Sequence, residues 1–163
     1  MTPHIGRLLE ILKEHEACTL AITRLEEEKR QAILTNKPEQ IEDIVKREQV
    51  LADETQALDR KRVAHSAAVA QRLGLPPEAK VEEIAEKAAG DEAKLLRQAR
   101  ASLRQALLAM RKIMNHNTEL LRYSLEHVRS FLGAIATAKS GPGNYRPNGR
   151  RESGASSLFN QTA

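Results

Sequence analysis

The sequence predicts an all-α protein: an antiparallel up-down-up bundle of three long coiled-coil-like helices, with a short extra helix and a disordered C-terminal tail. Three observations predict this fold. Apolar residues recur at alternating three- and four-residue steps over most of the 163 residues. Glycine and proline occur mainly where this spacing is interrupted. Apolar residues make up 40% of the chain and charged residues 29%, which suits helices that each bury one narrow stripe.

The first predicted helix spans residues 3–35. Thr2 can cap its N-terminus, and Pro3 suits the first turn, where a missing backbone N–H costs no hydrogen bond. The apolar stripe of this helix has the spacing of a coiled coil. It comprises Leu8, Ile11, His15, Cys18, Ile22, Leu25, Lys29 and Ala32.

The second predicted helix spans residues 38–73. Asn36 and Glu39 have the spacing of a capping box, with Asn in place of Ser or Thr, and Pro38 lies in the first turn. Gly74 and the two prolines after Leu75 end the helix. Its stripe comprises Ile41, Ile44, Glu48, Leu51, Thr55, Leu58, Arg62, His65, Val69 and Leu73.

Two further helices are predicted, a weak one over residues 78–89 and the longest one over residues 91–139. Gly90 separates them, and Asp91 can cap the second of the two. Two consecutive four-residue steps around Asn117 form a stutter, which locally relaxes a supercoil. The stripe of the long helix comprises Leu96, Ala99, Leu103, Ala106, Met110, Ile113, Asn117, Leu121, Ser124, Val128, Phe131 and Ile135.

The composition changes at residue 140. Short connections between long helices predict antiparallel neighbours, so residues 1–139 are expected to form one helical bundle. Residues 140–163 are dominated by Gly, Pro, Ser and Asn, and only Tyr145, Leu158 and Phe159 are large and apolar. Such a segment buries too little surface to offset its ordering entropy, so a flexible tail is predicted.

The charge pattern argues against a nucleic-acid-binding protein. The net charge is +4, but the tail contributes half of it through three arginines and one glutamate. In the helical remainder acidic and basic residues are interspersed, which is typical of a solvated face rather than a phosphate-binding stripe. No run is long and apolar enough for membrane insertion, and no signal-peptide pattern is present, so a cytoplasmic protein is expected. The single cysteine, Cys18, agrees with that compartment.

No enzyme signature, and hence no catalytic residue or cofactor, is predicted. The sequence contains no phosphate-binding loop, nucleophile elbow or paired-cysteine metal motif. His15 and Cys18 lie three residues apart and could supply half of a zinc site, but no second pair accompanies them. Both belong to an apolar stripe, so a core histidine and a core cysteine are predicted and no metal site.

The last third of the chain is the predicted partner-binding region. At about 1.5 Å per residue the first two helices are roughly 50 and 54 Å long and the third roughly 73 Å, so the third should project from about Glu126. The projecting part keeps an apolar stripe, which indicates a partner. The alternative is that the helix slides or frays and buries this stripe internally. All four aromatic residues also lie in the last 41 positions, either by chance or because rings anchor interfaces.

The sequence resembles the FlgN family of flagellar type III export chaperones. The resemblance is carried by an Asn pair and a Leu-rich, Ser-containing stretch, Asn115-His116-Asn117-Thr118-Glu119-Leu120-Leu121-Arg122-Tyr123-Ser124-Leu125. A break with Tyr and Gly follows, Asn144-Tyr145-Arg146-Pro147-Asn148-Gly149. The helix layout agrees over nearly the whole chain, and the motifs agree over about 35 residues.

The resemblance implies a cytoplasmic chaperone of the hook–filament junction proteins FlgK and FlgL. Such a chaperone holds the amphipathic C-terminal helix of its substrate, prevents premature assembly and delivers it to the export gate protein FlhA. The family's substrate-binding region corresponds here to Leu121, Leu125, Val128, Phe131, Leu132 and Ile135. The family's tail tyrosine matches Tyr145, which implies docking to the export gate, although Arg146-Pro147 departs from the small residues usual there.

The sequence leaves two alternatives open, one for the role of Asn117 and one for the function of the chain. Asn117 is a candidate hydrogen-bond donor to the partner's backbone, or else a polar core residue that fixes helix register. The same apolar stripe could also serve a structural coiled-coil adaptor that self-associates, which is the alternative function.

Overall fold

The computed structural model describes residues 2–139. They form four helices and no strand: α1 (Pro3–Leu34), α2 (Pro38–Arg72), α3 (Val81–Lys87) and α4 (Gly90–Lys139). The predicted all-helical class is confirmed. The predicted flexible tail, 140–163, and Tyr145 within it lie outside the described residues. No helix of the described part is long and apolar enough to cross a membrane.

Helices α1 and α2 end in the same C-terminal motif. Asn36 (φ 50°) and Gly74 (φ 71°) take the left-handed conformation that Gly and Asn tolerate best. The N–H of Lys37 donates to the carbonyl oxygen of Ala32 at 2.9 Å, which is the hydrogen bond of a Schellman motif. The N–H of Leu75 donates to the carbonyl oxygen of Ala70 at the same distance. Carbonyls at both helix ends are thereby satisfied.

Three predicted helix caps differ from the structure. The capping box of Asn36 is wrong, because Asn36 terminates α1 while Lys37 holds the N-cap position of α2 without a side-chain hydrogen bond. Thr2 holds the N-cap position of α1, but its Oγ1 donates to Glu92 Oε2 at 3.1 Å instead of accepting from its own helix. Asp91 lies inside the first turn of α4, which begins one residue earlier.

One apolar core joins all four helices, and α3 packs firmly into it. Ile84 of α3 is fully buried, and Val81 and Ala85 are almost so. The segment predicted over residues 78–89 is therefore part of the packed structure, although its helix is only seven residues long. The core comprises Ile5, Leu8, Leu9, Leu12, Val69, Ala70, Ala79, Val81, Ile84, Ala85, Leu96, Ala99 and Leu103.

A second, smaller cluster lies between α1 and α2. Leu25, Ala32 and Ile44 are buried there, with Ile41 and Leu51 packed against them. The stripe predicted for α1 is confirmed as a buried face, since seven of its eight members are buried and Lys29 is half-buried.

The chain divides into two compact units. The first, Met1–Ser124, contains α1, α2, α3 and the larger part of α4; the second begins at Leu125. Within the first unit, the contacts between α1 and α2 run in opposite directions along the two helices: Lys29 contacts Glu48, and the earlier Cys18 contacts the later Thr55. The antiparallel three-helix bundle as a whole stays a prediction.

Candidate functional site

The apolar stripe of α4 changes from buried to exposed along the helix. Its first four members, Leu96 to Ala106, are buried, and the next two, Met110 and Ile113, are half-buried. Asn117 is buried, and every stripe residue from Leu121 onward is exposed. The change falls within one helical turn.

Six large apolar side chains form the exposed part, here called the exposed stripe. Their exposed fractions range from 40% at Ile135 to 61% at Phe131. At about 100° per residue, they occupy an arc of roughly 120° on the helix. Glu119, Glu126 and Ser130 point to the opposite side by the same spacing. The exposed stripe comprises Leu121, Leu125, Val128, Phe131, Leu132 and Ile135.

This surface has the character of a helix-binding site. Apolar side chains on a soluble protein are commonly exposed singly, whereas six on one face of a helix form a contiguous patch. The patch has no titratable side chain within it, so it can bind by burial of apolar surface and by shape. Such a face fits the apolar face of another helix.

Asn117, which the sequence grouped with these residues, is different from them. Its side chain is 1% exposed. Its Nδ2 donates to the backbone oxygen of Glu26 and to Glu26 Oε2, each at 2.7 Å. This geometry favours the alternative role of Asn117, a polar core residue that fixes the position of α4 against α1.

Glu26 and Asn117 belong to a buried polar cluster that joins α1, α2 and α4. The Nζ of Lys29 lies 2.8 Å from Glu26 Oε1 and 2.7 Å from Glu48 Oε2. The Lys29 side chain is 12% exposed, and the glutamates are 3% and 16% exposed. Glu48 Oε1 and Asn117 Oδ1 are buried without a hydrogen-bond partner among the described residues. One cation thus compensates two carboxylates.

Burial and charge act against each other in this polar cluster. Burial alone would lower the pKa of Lys29, but its hydrogen bonds with Glu26 and Glu48 outweigh this, so the pKa of Lys29 is raised. Burial raises the pKa of Glu48, and the nearby Glu26 adds to the rise, while Lys29 opposes it. The charged form of Lys29 is therefore stabilised, whereas burial destabilises the ionised form of Glu48.

The same cluster fixes the register of α4 on α1. Asn117 bonds to a residue 91 positions earlier, and Thr2 bonds to Glu92, 90 positions later. One contact lies at the N-cap of α1 and the other at Glu26, several turns later, yet the two have nearly the same offset, so the helices run side by side without slipping. At that offset Leu34, the last residue of α1, corresponds to Ser124, the last residue of the first unit.

His15 and Cys18 are buried in the core, as their stripe position predicts. Cys18 Sγ lies 3.0 Å from Thr55 Oγ1 and 3.4 Å from the carbonyl oxygen of Leu51. Among the described residues no group of three His, Cys, Asp or Glu side chains is arranged to hold a metal ion. Burial lowers the pKa of His15, with Arg62 acting in the same direction and Asp59 against it.

We expect His15 to make folding stability fall under mildly acidic conditions. The folded protein favours neutral His15, whose buried Nδ1 has no hydrogen-bond partner among the described residues, whereas the unfolded chain binds a proton below about pH 6.5. Protonation therefore favours unfolding, and the His15 contribution is lost as pH falls from 6.5 toward the lowered pKa. Urea unfolding should be measured between pH 5 and 7.5. Over this range the free energy of unfolding should fall less with decreasing pH for His15→Leu than for the wild type.

The exposed His127 gives the matched control for this experiment. His127→Leu makes the same replacement at an exposed position of α4, so it shows what the change of His to Leu does without the burial. Glu48, with a raised pKa, acts in the opposite direction from about pH 4.5 upward, but it is common to all three proteins. If the free energy of unfolding falls with pH as much in His15→Leu as in the wild type, His15 is not the cause of the acid destabilisation.

Sequence reasoning missed Glu26 altogether. Glu26 lies beside Leu25 but outside the predicted stripe of α1, and its side chain is nonetheless 3% exposed. The three other members of the polar cluster were visible as polar interruptions of three separate stripes: Lys29, Glu48 and Asn117. Asn115 and His116, which carry the motif before the exposed stripe, line a surface cleft with Thr23 of α1.

Comparison with known proteins identifies one family. The sequence model of the family described as FlgN protein matches residues 1–153, which includes every described residue. No curated protein and no solved structure matches the chain.

Proposed function

The chain belongs to the FlgN family, and we propose that it is the cytoplasmic export chaperone of the hook–filament junction proteins FlgK and FlgL. Family membership supports a flagellar export chaperone role in general. The observation that supports the specific proposal is the exposed stripe, six apolar side chains at helical spacing on α4. These residues coincide with the substrate-binding region that the family resemblance implies.

The proposed mechanism is recognition of one helix by another. The junction proteins carry an amphipathic C-terminal helix, and its apolar face would cover the exposed stripe. In this proposal, covering that face keeps the substrate monomeric and prevents its premature assembly. The binding step requires only burial of apolar surface, so no cofactor and no bond cleavage enter it.

Asn117 is not part of the proposed contact surface. Its side chain is buried, and its amide nitrogen already donates to two acceptors of Glu26. We propose instead that Asn117 is a positioning residue, which sets where along α4 the apolar residues stop being covered by α1.

Truncation tests the location of the site. A chain ending after Glu126 lacks Val128, Phe131, Leu132 and Ile135 but retains both apolar clusters. We expect it to lose binding to purified FlgK and FlgL in isothermal titration calorimetry while circular dichroism keeps most of its helical signal. If the truncated chain binds FlgK and FlgL as tightly as the full chain, the exposed stripe after Glu126 is not the binding site.

The second part of the proposal is delivery to the export gate protein FlhA through Tyr145. This assignment rests on the family resemblance, since Tyr145 lies outside the described residues. We expect Tyr145→Ala to weaken binding to the cytoplasmic domain of FlhA and to leave FlgK binding unchanged. If FlhA binding is also unchanged, the tyrosine has no docking role.

A self-associating adaptor is the competing function, because the exposed stripe could equally pair with a second copy of the chain. Light scattering on the free protein distinguishes the two functions. A monomer that binds FlgK supports the chaperone, whereas a stable dimer abolished by Val128→Asp supports the adaptor.

A further inference from the structure

Four residues of the exposed stripe form a seven-residue repeat, and an arginine lies at the same position next to each copy of the repeat. Leu121-Arg122 with Leu125 is followed seven residues later by Val128-Arg129 with Leu132. Both segments belong to α4 and all six side chains are exposed. A seven-residue repeat of apolar pairs is the pattern by which two helices pack side by side in a coiled coil.

The two arginines lie on one edge of the stripe only. Arg122 precedes Leu125 by three residues and Arg129 precedes Leu132 by three, so each is the helical neighbour of an apolar contact residue. The corresponding residues on the other edge are Ser124 and Phe131, which carry no charge. In coiled coils, charges at such flanking positions select the partner and its orientation.

Within residues 2–137 neither Arg122 nor Arg129 has a carboxylate within ion-pairing distance, although Glu126 lies on the next turn of the helix. The Arg122 guanidinium lies 5.5 Å from the centre of the Tyr123 ring, a contact that leaves its hydrogen-bond donors available. By contrast Arg97 and Arg100 of the same helix both pair with Glu82.

We propose that the helix bound by the exposed stripe carries acidic side chains seven residues apart along one edge, which pair with Arg122 and Arg129. This inference rests on the proposed function, since it names the chemistry of the partner at the same surface. The one-sided charge fixes which edge of the partner helix lies against the arginines. Apolar burial provides the affinity, and the arginine edge selects among apolar helices and determines their direction.

A pair of synthetic peptides tests the proposal. Both carry the same apolar heptad positions, one with Glu and the other with Lys at both flanking positions of each heptad. Fluorescence anisotropy with the full chain should give tighter binding of the Glu peptide at low salt, by about tenfold, since each exposed pair contributes roughly two- to fivefold. The preference should shrink as salt is raised to 0.5 M.

Charge reversal in the protein gives the decisive comparison. Arg122→Glu combined with Arg129→Glu should invert the preference, so that the Lys peptide binds more tightly. The matched control reverses Arg104 and Arg111, two exposed arginines of α4 that lie before the exposed stripe, and should keep the wild-type preference. An unchanged preference in the first variant, or no peptide binding at all, would overturn the arginine-edge inference.

Failure of the proposed arginine pairing can be distinguished from failure of the proposed chaperone function. If FlgK binds the wild type but is insensitive to the double reversal, the inference fails and the chaperone role stands. If FlgK does not bind even the wild type, the proposed function itself fails.

Discussion

Phe131→Asp is expected to weaken binding of FlgK and FlgL by roughly a hundredfold, which corresponds to about 3 kcal/mol. Phe131 is the most exposed large apolar side chain of the stripe, at 61%. In the proposed complex the ring is covered by the partner helix, so an aspartate there would bury an unpaired charge in addition to losing the apolar contact. Isothermal titration calorimetry on the purified proteins measures the change directly.

Tyr123 provides a matched control for this substitution. It is an aromatic residue of the same helix with an exposed fraction of 60%, but its spacing puts it on the far side of α4 from the stripe. Tyr123→Asp should therefore leave binding within about threefold of the wild type. Equal losses in both variants would mean that a change in helix charge or order, rather than a contact at Phe131, causes the effect.

Lys29→Met is expected to destabilise the first unit by about 3 kcal/mol, the second large effect. The substitution keeps the length of the side chain but leaves Glu26 and Glu48 buried without a cation, and breaking a buried ion pair on one side is strongly destabilising. The loss should be greater at pH 8 than at pH 5. A glutamate whose folded pKa is raised loses its stabilising contribution as pH rises through that pKa, and removing Lys29 raises the pKa further.

Urea unfolding of three further proteins completes this experiment. Lys46 pairs with Glu42 in an exposed position, with both side chains more than 70% exposed, so Lys46→Met should change stability by less than about 0.5 kcal/mol. Adding Glu48→Gln to Lys29→Met should recover part of the loss, because one buried charge is removed. Asn117→Leu should also destabilise, since it removes the amide that donates to the buried carboxylate of Glu26 and to its backbone oxygen. No loss in Lys29→Met would mean that water, not the lysine, compensates the glutamates.

The helices and the buried faces of α1 and of the first part of α4 were predictable because heptad spacing places apolar residues on one face of a helix. The same spacing continues after Asn117, where the face is exposed, so spacing alone does not tell a buried face from an uncovered one. Leu8, Leu25 and Leu96 were placed correctly by spacing alone, and the glycine at position 74 identified the end of α2. Spacing cannot reveal which polar residue meets which across helices. Lys29, Glu48 and Asn117 each interrupted a stripe, but that they belong to one cluster depends on the offsets between helices, which the sequence leaves free.

Helix caps were less predictable than helix faces, for a local reason. Asn36 has a side chain suited both to beginning a helix and to the left-handed conformation that ends one. The preceding helix already needed a terminal residue of that conformation, and this requirement decided its role. Thr2 likewise could serve its own helix, yet its hydroxyl bonds to Glu92 because the start of α4 lies beside it.

The contacts Thr2–Glu92 and Glu26–Asn117 have nearly the same offset along the sequence, and this constrains which insertions and deletions α1 and α4 can accept. Between its two contacts α1 spans the same length as the corresponding part of α4, within one residue. A single inserted residue in α4 between Glu92 and Asn117 would rotate everything after it by about 100° and remove the amide from its acceptors. Insertions and deletions in this interval must therefore be matched by equal changes in α1, whereas whole heptads can be added or removed after Ser124 at little cost to the fold.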